Sequence, residues 1–185
     1  AIARSAKMRG AEVTLISGPV ALEPLDGVRM IPVTSACDMR EAVMQALPQS
    51  DLVIKAAAVG DYRPATFQDD KIKKHDDDML VSLVRNPDIL AEIGEKRRDD
   101  QVICGFSMET EHMLENSEKK LEKKNLDMIV ANNLKVKGAG FATDTNVVTL
   151  ITKEEVKELP LMSKDEVANE ILTQILQRRC PENGQ

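Results

Sequence analysis

The sequence is nearly empty of aromatic side chains: 185 residues include no tryptophan, one tyrosine and three phenylalanines. Tyr62, Phe67, Phe106 and Phe141 are too few to furnish a core, which must be aliphatic, or a row of platforms for stacking bases. Positive charge is not in excess either. The 25 Lys and Arg are outnumbered by 31 Asp and Glu, for a net charge of -6. No long basic stripe interrupts that balance, which argues against a nucleic-acid binder. An anion can bind such a chain only in a local cationic pocket.

Cysteine is scarce. Cys37, Cys104 and Cys180 are odd in number and widely spaced, with no CxxC or Cys/His cluster to suggest zinc and no disulfide framework. Cys37 and Cys104 lie in apolar stretches, so buried free thiols are expected at both, in a reducing, cytoplasmic compartment. No apolar run approaches the roughly 20 residues a membrane helix needs. The opening AIARSAKMRG has no continuous apolar stretch of the signal-peptide kind. It begins inside a helical pattern, so the chain reads as starting mid-element. His75 and His112 have no Ser or Cys partner in a recognisable arrangement, and neither a Walker A sequence nor G-x-G-x-x-G occurs.

What is present is an alternation of strand and helix signals. Residues 1–9 read as a helix ended by Gly10 in the C-cap role. Strands follow at AEVTLISGP and VRMIPV, then a helix capped by Ser35 with Ala36, Met39, Val43 and Leu47 on one face. DLVIKAAAV, residues 51–59, is apolar nearly throughout, as expected of a central parallel strand covered on both faces. A polar, proline-marked excursion leads to MLVSLV, residues 79–84, read as a strand. Asn86 as N-cap and Pro87 at the first helical position open a helix. QVICGF, a charged helix over about 111–124 and LDMIVANN then repeat the pattern. At the C-terminus, NVVTLIT and VKELPL read as a hairpin around Lys153-Glu154. Ser163 and Glu166 form a capping box, with Met162 and Val167 as its staple, before a helix with Val167, Ala168, Ile171, Leu172, Ile175 and Leu176 on one face. The order predicts a single Rossmann-like α/β domain: a mostly parallel sheet, helices on both faces and an antiparallel C-terminal hairpin.

Ligands of open α/β sheets lie beyond the carboxyl ends of the strands, and the unusual residues gather in those loops. In AAAVGDYRP, small alanines allow close approach while Asp61 and Arg63 flank the only tyrosine. KIKK places Lys71, Lys73 and Lys74 together, although Asp76–Asp78 nearly cancel the charge. Asn86-Pro87-Asp88-Ile89 is a helix N-terminus, suited to an anion or the polar edge of a base. GFSMET offers Gly105 and Phe106 at a strand end. Lys120 and Lys124 stand one turn apart on a helix, a like-charge spacing that costs about 0.2–0.5 kcal/mol. Lys119 has Glu115 and Glu122 in range whereas Lys120 has no acidic residue at either spacing, and an external anion would relieve the repulsion. Taken singly, each motif is also compatible with a solvated turn, a core ring or an exposed lysine face.

Jointly and in order, GAEVTLISGPV, AAAVGDYRP, KIKK, VRNPDIL, GFSMET, KKNLDMIVANN and GFATDTN resemble the bacterial phosphopantothenate–cysteine ligases, the ligase half of bifunctional coenzyme A biosynthesis proteins. The resemblance implies activation of the 4'-phosphopantothenate carboxylate by CTP to an acyl-cytidylate, then amide formation with cysteine, with Mg²⁺ required and no flavin in this segment. It implies nucleotide contacts from Asp61, Lys71, Pro87, Asp88, Ile89, Leu90, Phe106, Lys120 and Lys124, with Lys71 stabilising charge during acyl transfer. It also implies a homodimer, a dimerisation flap at about 62–84, and fusion to or association with a flavin-dependent decarboxylase domain. The family's first strand, glycine-rich loop and S-G-K stretch would lie upstream of Ala1. An ATP-using relative, a Rossmann-like NAD(P) oxidoreductase and a non-catalytic nucleotide-binding module are the alternative readings.

Overall fold

The computed structural model describes residues 1–67, 70, 78–109, 113–133 and 144–179. The chain opens with α1 (Ile2–Met8), β1 (Thr14–Ser17), β2 (Arg29–Pro32) and α2 (Ala36–Ala46). A 3-10 turn, β3 (Leu52–Lys55), β4 (Tyr62–Pro64), β5 (Leu83–Arg85) and α3 (Ile89–Lys96) follow. Next come β6 (Val102–Glu109), α4 (Met113–Lys123) and β7 (Met128–Asn133). The C-terminal part holds β8 (Thr145–Asn146), β9 (Val148–Ile151), β10 (Val156–Glu158), β11 (Met162–Ser163) and α5 (Lys164–Arg179). No helix among the described residues is long and apolar enough to cross a membrane.

Five strands form the main sheet in the order β10-β9-β7-β6-β3. β3, β6 and β7 run parallel, and the β9–β10 hairpin adds to β7 antiparallel, as expected. Strand alternation sorts the aliphatic side chains into two clusters, one per face. Ile103, Ile129 and Ala131 point to the cluster that takes Met39 and Ala42 of α2, Ile89, Leu90 and Ile93 of α3, and Leu121 of α4. Their neighbours Cys104, Met128 and Val130 point to the other cluster, where Val167, Ile171 and Ile175 of α5 pack with Ile2 of α1. Burial of Ile103, Cys104 and Val130 is complete, so β6 and β7 are the centre of the domain.

DLVIKAAAV is not that centre. β3 is the last strand of the five-stranded sheet, and β1 pairs with β2 in a separate parallel ribbon. Its side chains are half-buried. Val53 faces one cluster while Leu52 and Ile54 face the other, which accounts for the continuous apolar run. Covered faces make a strand apolar on both sides; they do not report whether its edges are paired.

Other expectations shift for local reasons. Gly10 does follow α1 with φ +87°, the conformation a C-terminal glycine supplies, and Ser35 forms a full capping box with Asp38. The strand expected over 79–84 shortens to β5, paired antiparallel with β4. The N-cap of α3 is Asp88, which accepts the Ala91 N–H at 3.1 Å, and not Asn86. Cys104 is buried, and its thiol is pushed up to about 12, by burial first and then by Asp127. Cys37 is exposed because the turn of α2 sets it on a polar stripe with Arg40 and Glu41, at i+3 and i+4. The Ser163–Glu166 capping box is present. Leu176 is 50 % exposed, the rotation of α5 giving the buried position to its neighbour Ile175.

An ion cluster holds α2 on α3. Arg40 forks both oxygens of Glu92, and Lys96 reaches the same carboxylate at 2.7 Å. The Arg40 hydrogen bonds first, and then Lys96, lower the Glu92 pKa from 4.5 to about 2. A depressed carboxylate pKa stabilises the fold above its unfolded value, and that contribution is lost as pH falls through the folded value. The thermal stability gap between wild type and Glu92→Gln should therefore be full at pH 6 and close between about pH 4.5 and 2. A gap that stays constant across that range, followed by circular dichroism melts, would remove Glu92 from the linkage.

Candidate functional site

A cavity opens past the carboxyl end of β3, between the first turn of α3 and the last turn of α4. Its floor is β6, where Gly105 stands beside Lys55 in the parallel register. A side chain at Gly105 would come within 2.8 Å of Leu90 Cδ2 and 3.3 Å of Leu126 Cδ1. The close approach that this glycine permits is thus made by leucines of the pocket wall. Asp61, Pro87, Asp88 and Ile89 line the cavity, and so do Leu90, Phe106, Lys120 and Lys124. Lys71, with the rest of residues 71–77, lies outside the described residues, as does most of GFATDTN.

The loops of the rim are tied by one side chain. Asn86 donates from Nδ2 to the Gly60 carbonyl at 2.8 Å, and its Oδ1 accepts from Arg63 at 3.1 Å. Its backbone N–H donates to the Asp61 carbonyl at 2.8 Å. Asn86 therefore joins the loop after β3 to the entry of α3, which fixes Asp61 against the Pro87–Leu90 turn. Sequence reasoning had given it a capping role; the hydrogen bonds give it a bracing one.

The far wall depends on a close helix contact. Gly94 of α3 lies so near the turn after α4 that a Cβ there would stand 1.8 Å from the Lys124 carbonyl oxygen. Asn125 adopts φ 49° at that turn and donates from Nδ2 to the Gly94 carbonyl at 3.0 Å. Arg97 donates to the Asn125 carbonyl at 3.1 Å and to Asp127 at 2.7 Å. This set of contacts carries Lys124 to the start of α3, where its Nζ lies 2.8 Å from an Asp88 carboxylate oxygen. The anion that sequence reasoning required from outside the helix is, for Lys124, supplied by α3. Lys119 pairs with Glu115 at 2.6 Å, as its spacing predicted.

The electrostatics of this corner are tightly shared. Burial alone would raise the Asp88 pKa; the Lys124 hydrogen bond, the Ala91 N–H and the charges of Lys124 and Lys55 outweigh it and hold the carboxyl below its ordinary value. Lys55 shows the opposite strain. Burial lowers its pKa, Lys124 adds to the lowering, and Asp88 opposes it. Lys55 was not among the residues expected here, because it reads as the end of an apolar strand. The signal that could have found it is that a lysine closing such a strand must place its charge at the strand's carboxyl end.

A second, wider cleft shares the Asn86–Pro87 wall and is lined by Arg40, Arg63, Arg85, Cys37 and Glu41. Arg63 is committed to the Arg85 carbonyl at 2.8 Å as well as to Asn86. The Arg85 guanidinium sits over the Tyr62 ring, 5.8 Å from its centroid.

The family described as "DNA/pantothenate metabolism flavoprotein C-terminal domain" matches residues 1–178. The chain belongs to that family. It is 51 % identical over 177 residues to the coenzyme A biosynthesis bifunctional protein CoaBC of Bacillus subtilis (strain 168), covering 95 % of this chain and 43 % of that protein. It is 43 % identical over 178 residues to a cysteine/cysteine sulfinic acid decarboxylase of an unknown prokaryotic organism, covering 95 % of this chain and 50 % of that protein. This domain thus spans half or less of the curated relatives it matches. Among solved structures, the crystal structure of the C-terminal domain of a CoaBC protein superposes with a TM-score of 0.80 at 47 % identity, covering 96 % of this chain and 81 % of that one. The Rossmann-like architecture and the resemblance to the C-terminal part of CoaBC proteins both stand on these matches.

Gly94→Ala tests the contact that seats Lys124. Alanine favours a helix interior by about 1 kcal/mol over glycine, but the obstructing atom is a backbone oxygen that cannot rotate away. Overpacking of this kind costs about 1–3 kcal/mol or more, so the variant should melt several degrees below wild type. A melting temperature equal to or above the wild-type value would contradict the close approach.

Proposed function

We propose that this domain is a phosphopantothenate–cysteine ligase that activates its acid substrate with CTP. The observation that carries the reading is the cavity in which lysines from the end of α4 meet the N-terminus of α3 at the end of a parallel strand. The relatives named for coenzyme A biosynthesis support it. The chemical difficulty is that a carboxylate must approach a polyphosphate of the same sign. A carboxylate oxygen attacks the α-phosphorus of CTP, forming a P–O bond as the α–β anhydride bond breaks, and pyrophosphate leaves. The cysteine amine then attacks the acyl carbon, a C–N bond forms, CMP departs and the amine loses a proton.

In this reading Lys120 and Lys124 hold phosphate oxygens through both steps, stabilising charge where it develops. The Pro87–Leu90 turn offers the backbone N–H groups of Ile89 and Leu90, in the first turn of α3, and the positive end of that helix to the nucleotide. Phe106 sets an aromatic face at the cavity wall, and Lys71 stabilises negative charge during acyl transfer. Asp61 and Asp88 are the cavity's carboxylates. Asp88 is committed to Lys124 and the helix cap, whereas Asp61 is exposed. Among the described residues no group of three or more His, Cys, Asp or Glu side chains converges as a metal cage. That donor set fits Mg²⁺, which binds through one or two carboxylates together with substrate phosphates; Asp61 would hold it. When bound, the ion supplies positive charge to the phosphate chain.

The same reading includes a homodimer, fusion to or association with a flavin-dependent decarboxylase domain, and a cytoplasmic setting. The β4–β5 ribbon supports the first of these. It exposes Tyr62, Leu83 and Val84, and Leu80 nearby is 97 % exposed. Tyr62 and Leu83 share one face of the ribbon, and exposed apolar side chains grouped in this way fit a partner of the same kind.

Incubated with phosphopantothenate, cysteine and a nucleotide, the protein should release pyrophosphate and form an amide with CTP and much more slowly with ATP. Equal turnover with ATP would overturn the CTP assignment, and carbon dioxide release without pyrophosphate would replace the ligase by a decarboxylase. Replacing Leu80 and Leu83 together by Asp should convert a dimer, read by sedimentation, to a folded monomer. A mass unchanged by both substitutions would remove the ribbon from the interface.

A further inference from the structure

Among the described lysines, Lys55 is the one that ends a strand of the main sheet. It ends β3, its side chain is half-buried, and it lines the same cavity as Lys120 and Lys124. An ammonium has three hydrogens to donate. Among the described residues its hydrogen bond goes to the Ala57 carbonyl, at 2.9 Å, two residues along its own chain. The carboxylate that acts on its charge is Asp88, already 2.8 Å from Lys124 and capping α3. Two ammonium groups thus share one carboxylate in a partly dry corner.

The charge count of the cavity points the same way. Lys55, Lys120 and Lys124 face Asp61 and Asp88, and the N-terminus of α3 adds a partial positive charge. A structural role for Lys55 would need only its four-carbon stem, lying along the apolar wall with the charge carried out to water. The ammonium instead folds back onto its own loop, where burial and the Lys124 charge both press its pKa down. The negative charge of a bound polyanion offsets both effects.

We propose that Lys55 is a third phosphate-binding lysine of this pocket, engaging the nucleotide's phosphate chain alongside Lys124 in competition with Asp88. The inference rests on the nucleotide reading of the cavity and extends it to a residue outside the expected set. Because Asp88 neutralises one lysine at a time, phosphate oxygens that contact both ammonium groups satisfy more donors than the internal carboxylate does. Asp88 is then free to act as helix cap alone. Its hydrogen bond with the Ala91 N–H does not depend on either lysine.

The test uses Lys55→Met, which keeps the stem and removes the charge, and Lys55→Arg, which keeps the charge. Binding of inorganic pyrophosphate, CTP and uncharged cytidine is measured by titration at two salt concentrations, and folding by circular dichroism. The expected result is a loss of about tenfold or more for pyrophosphate and CTP in Lys55→Met, as for one charge-assisted hydrogen bond. The salt dependence becomes shallower, cytidine binding is unchanged, and Lys55→Arg stays within about threefold of wild type. Wild-type pyrophosphate and CTP affinity in Lys55→Met overturns the inference and leaves the ligase reading intact. A parallel loss of cytidine binding overturns it too, since the side chain would then be shaping the pocket. A wild-type protein that binds neither pyrophosphate nor CTP overturns both. Lys55-dependent binding of both ligands without amide formation supports the inference and removes only the ligase reading.

Discussion

The site depends on the contact between Gly94 and the Lys124–Asn125 turn. The Asp88–Lys124 ion pair is the visible product of that contact, but it is not what holds the helices together. With Asp88 half exposed, a pair of this kind contributes about 0–1 kcal/mol, less than a single well-packed leucine. The fixed distance comes from backbone: the absence of a Cβ at Gly94, the left-handed turn at Asn125 and the buried side chains of Leu90, Ile93 and Leu126 on either side. Aliphatic packing sets the helices, and the charges inherit their positions. An ion pair that stabilises little is well suited to exchange one anion for another.

That separation of roles fits an aliphatic domain. Two clusters of Ile, Leu, Val, Ala and Met hold the sheet from opposite faces, without an aromatic ring among their fully buried side chains. Phe106 packs beside one cluster from the partly buried shell and also borders the cavity. The rings among the described residues are therefore left for surfaces: Phe106 at the pocket, Tyr62 under Arg85, and Phe67 89 % exposed.

Much of this architecture was legible because it rests on local rules. Helix ends were readable from Gly10, Ser35, Ser163 and Glu166, since a cap is chemistry within four residues. The alternation of strands and helices, and the hairpin turning at Lys153–Glu154, followed from periodicity. The errors fell where the deciding partner is distant in sequence. Asn86 has the right chemistry for a cap, yet Gly60 and Arg63 claim it and Asp88 caps instead. The edge position of β3 depends on strand pairing that apolarity does not encode. Cys37 was expected inside from its neighbours, while rotation by one helix position puts it outside.

The gathering of the pocket was partly legible in the same sense. Motif order suggested which loops to compare, and strand topology explains why they meet: β3 and β6 are parallel neighbours, so both deliver their following loops to one end. What the sequence could not show is how the lysines are satisfied before any ligand arrives. Considered along α4 alone, Lys120 and Lys124 repel. Across the cavity, Lys124 is paired with Asp88 and its charge presses down the Lys55 pKa, so the repulsion that matters crosses between a strand and a helix turn far apart in the chain. A preorganised cationic pocket must keep like charges close without an anion and still fold. Here the Asp88 carboxylate offsets that cost for Lys124, while among the described residues Lys55 donates to a carbonyl. The residual positive charge therefore stays directed at the cavity, where a phosphate chain can complete it.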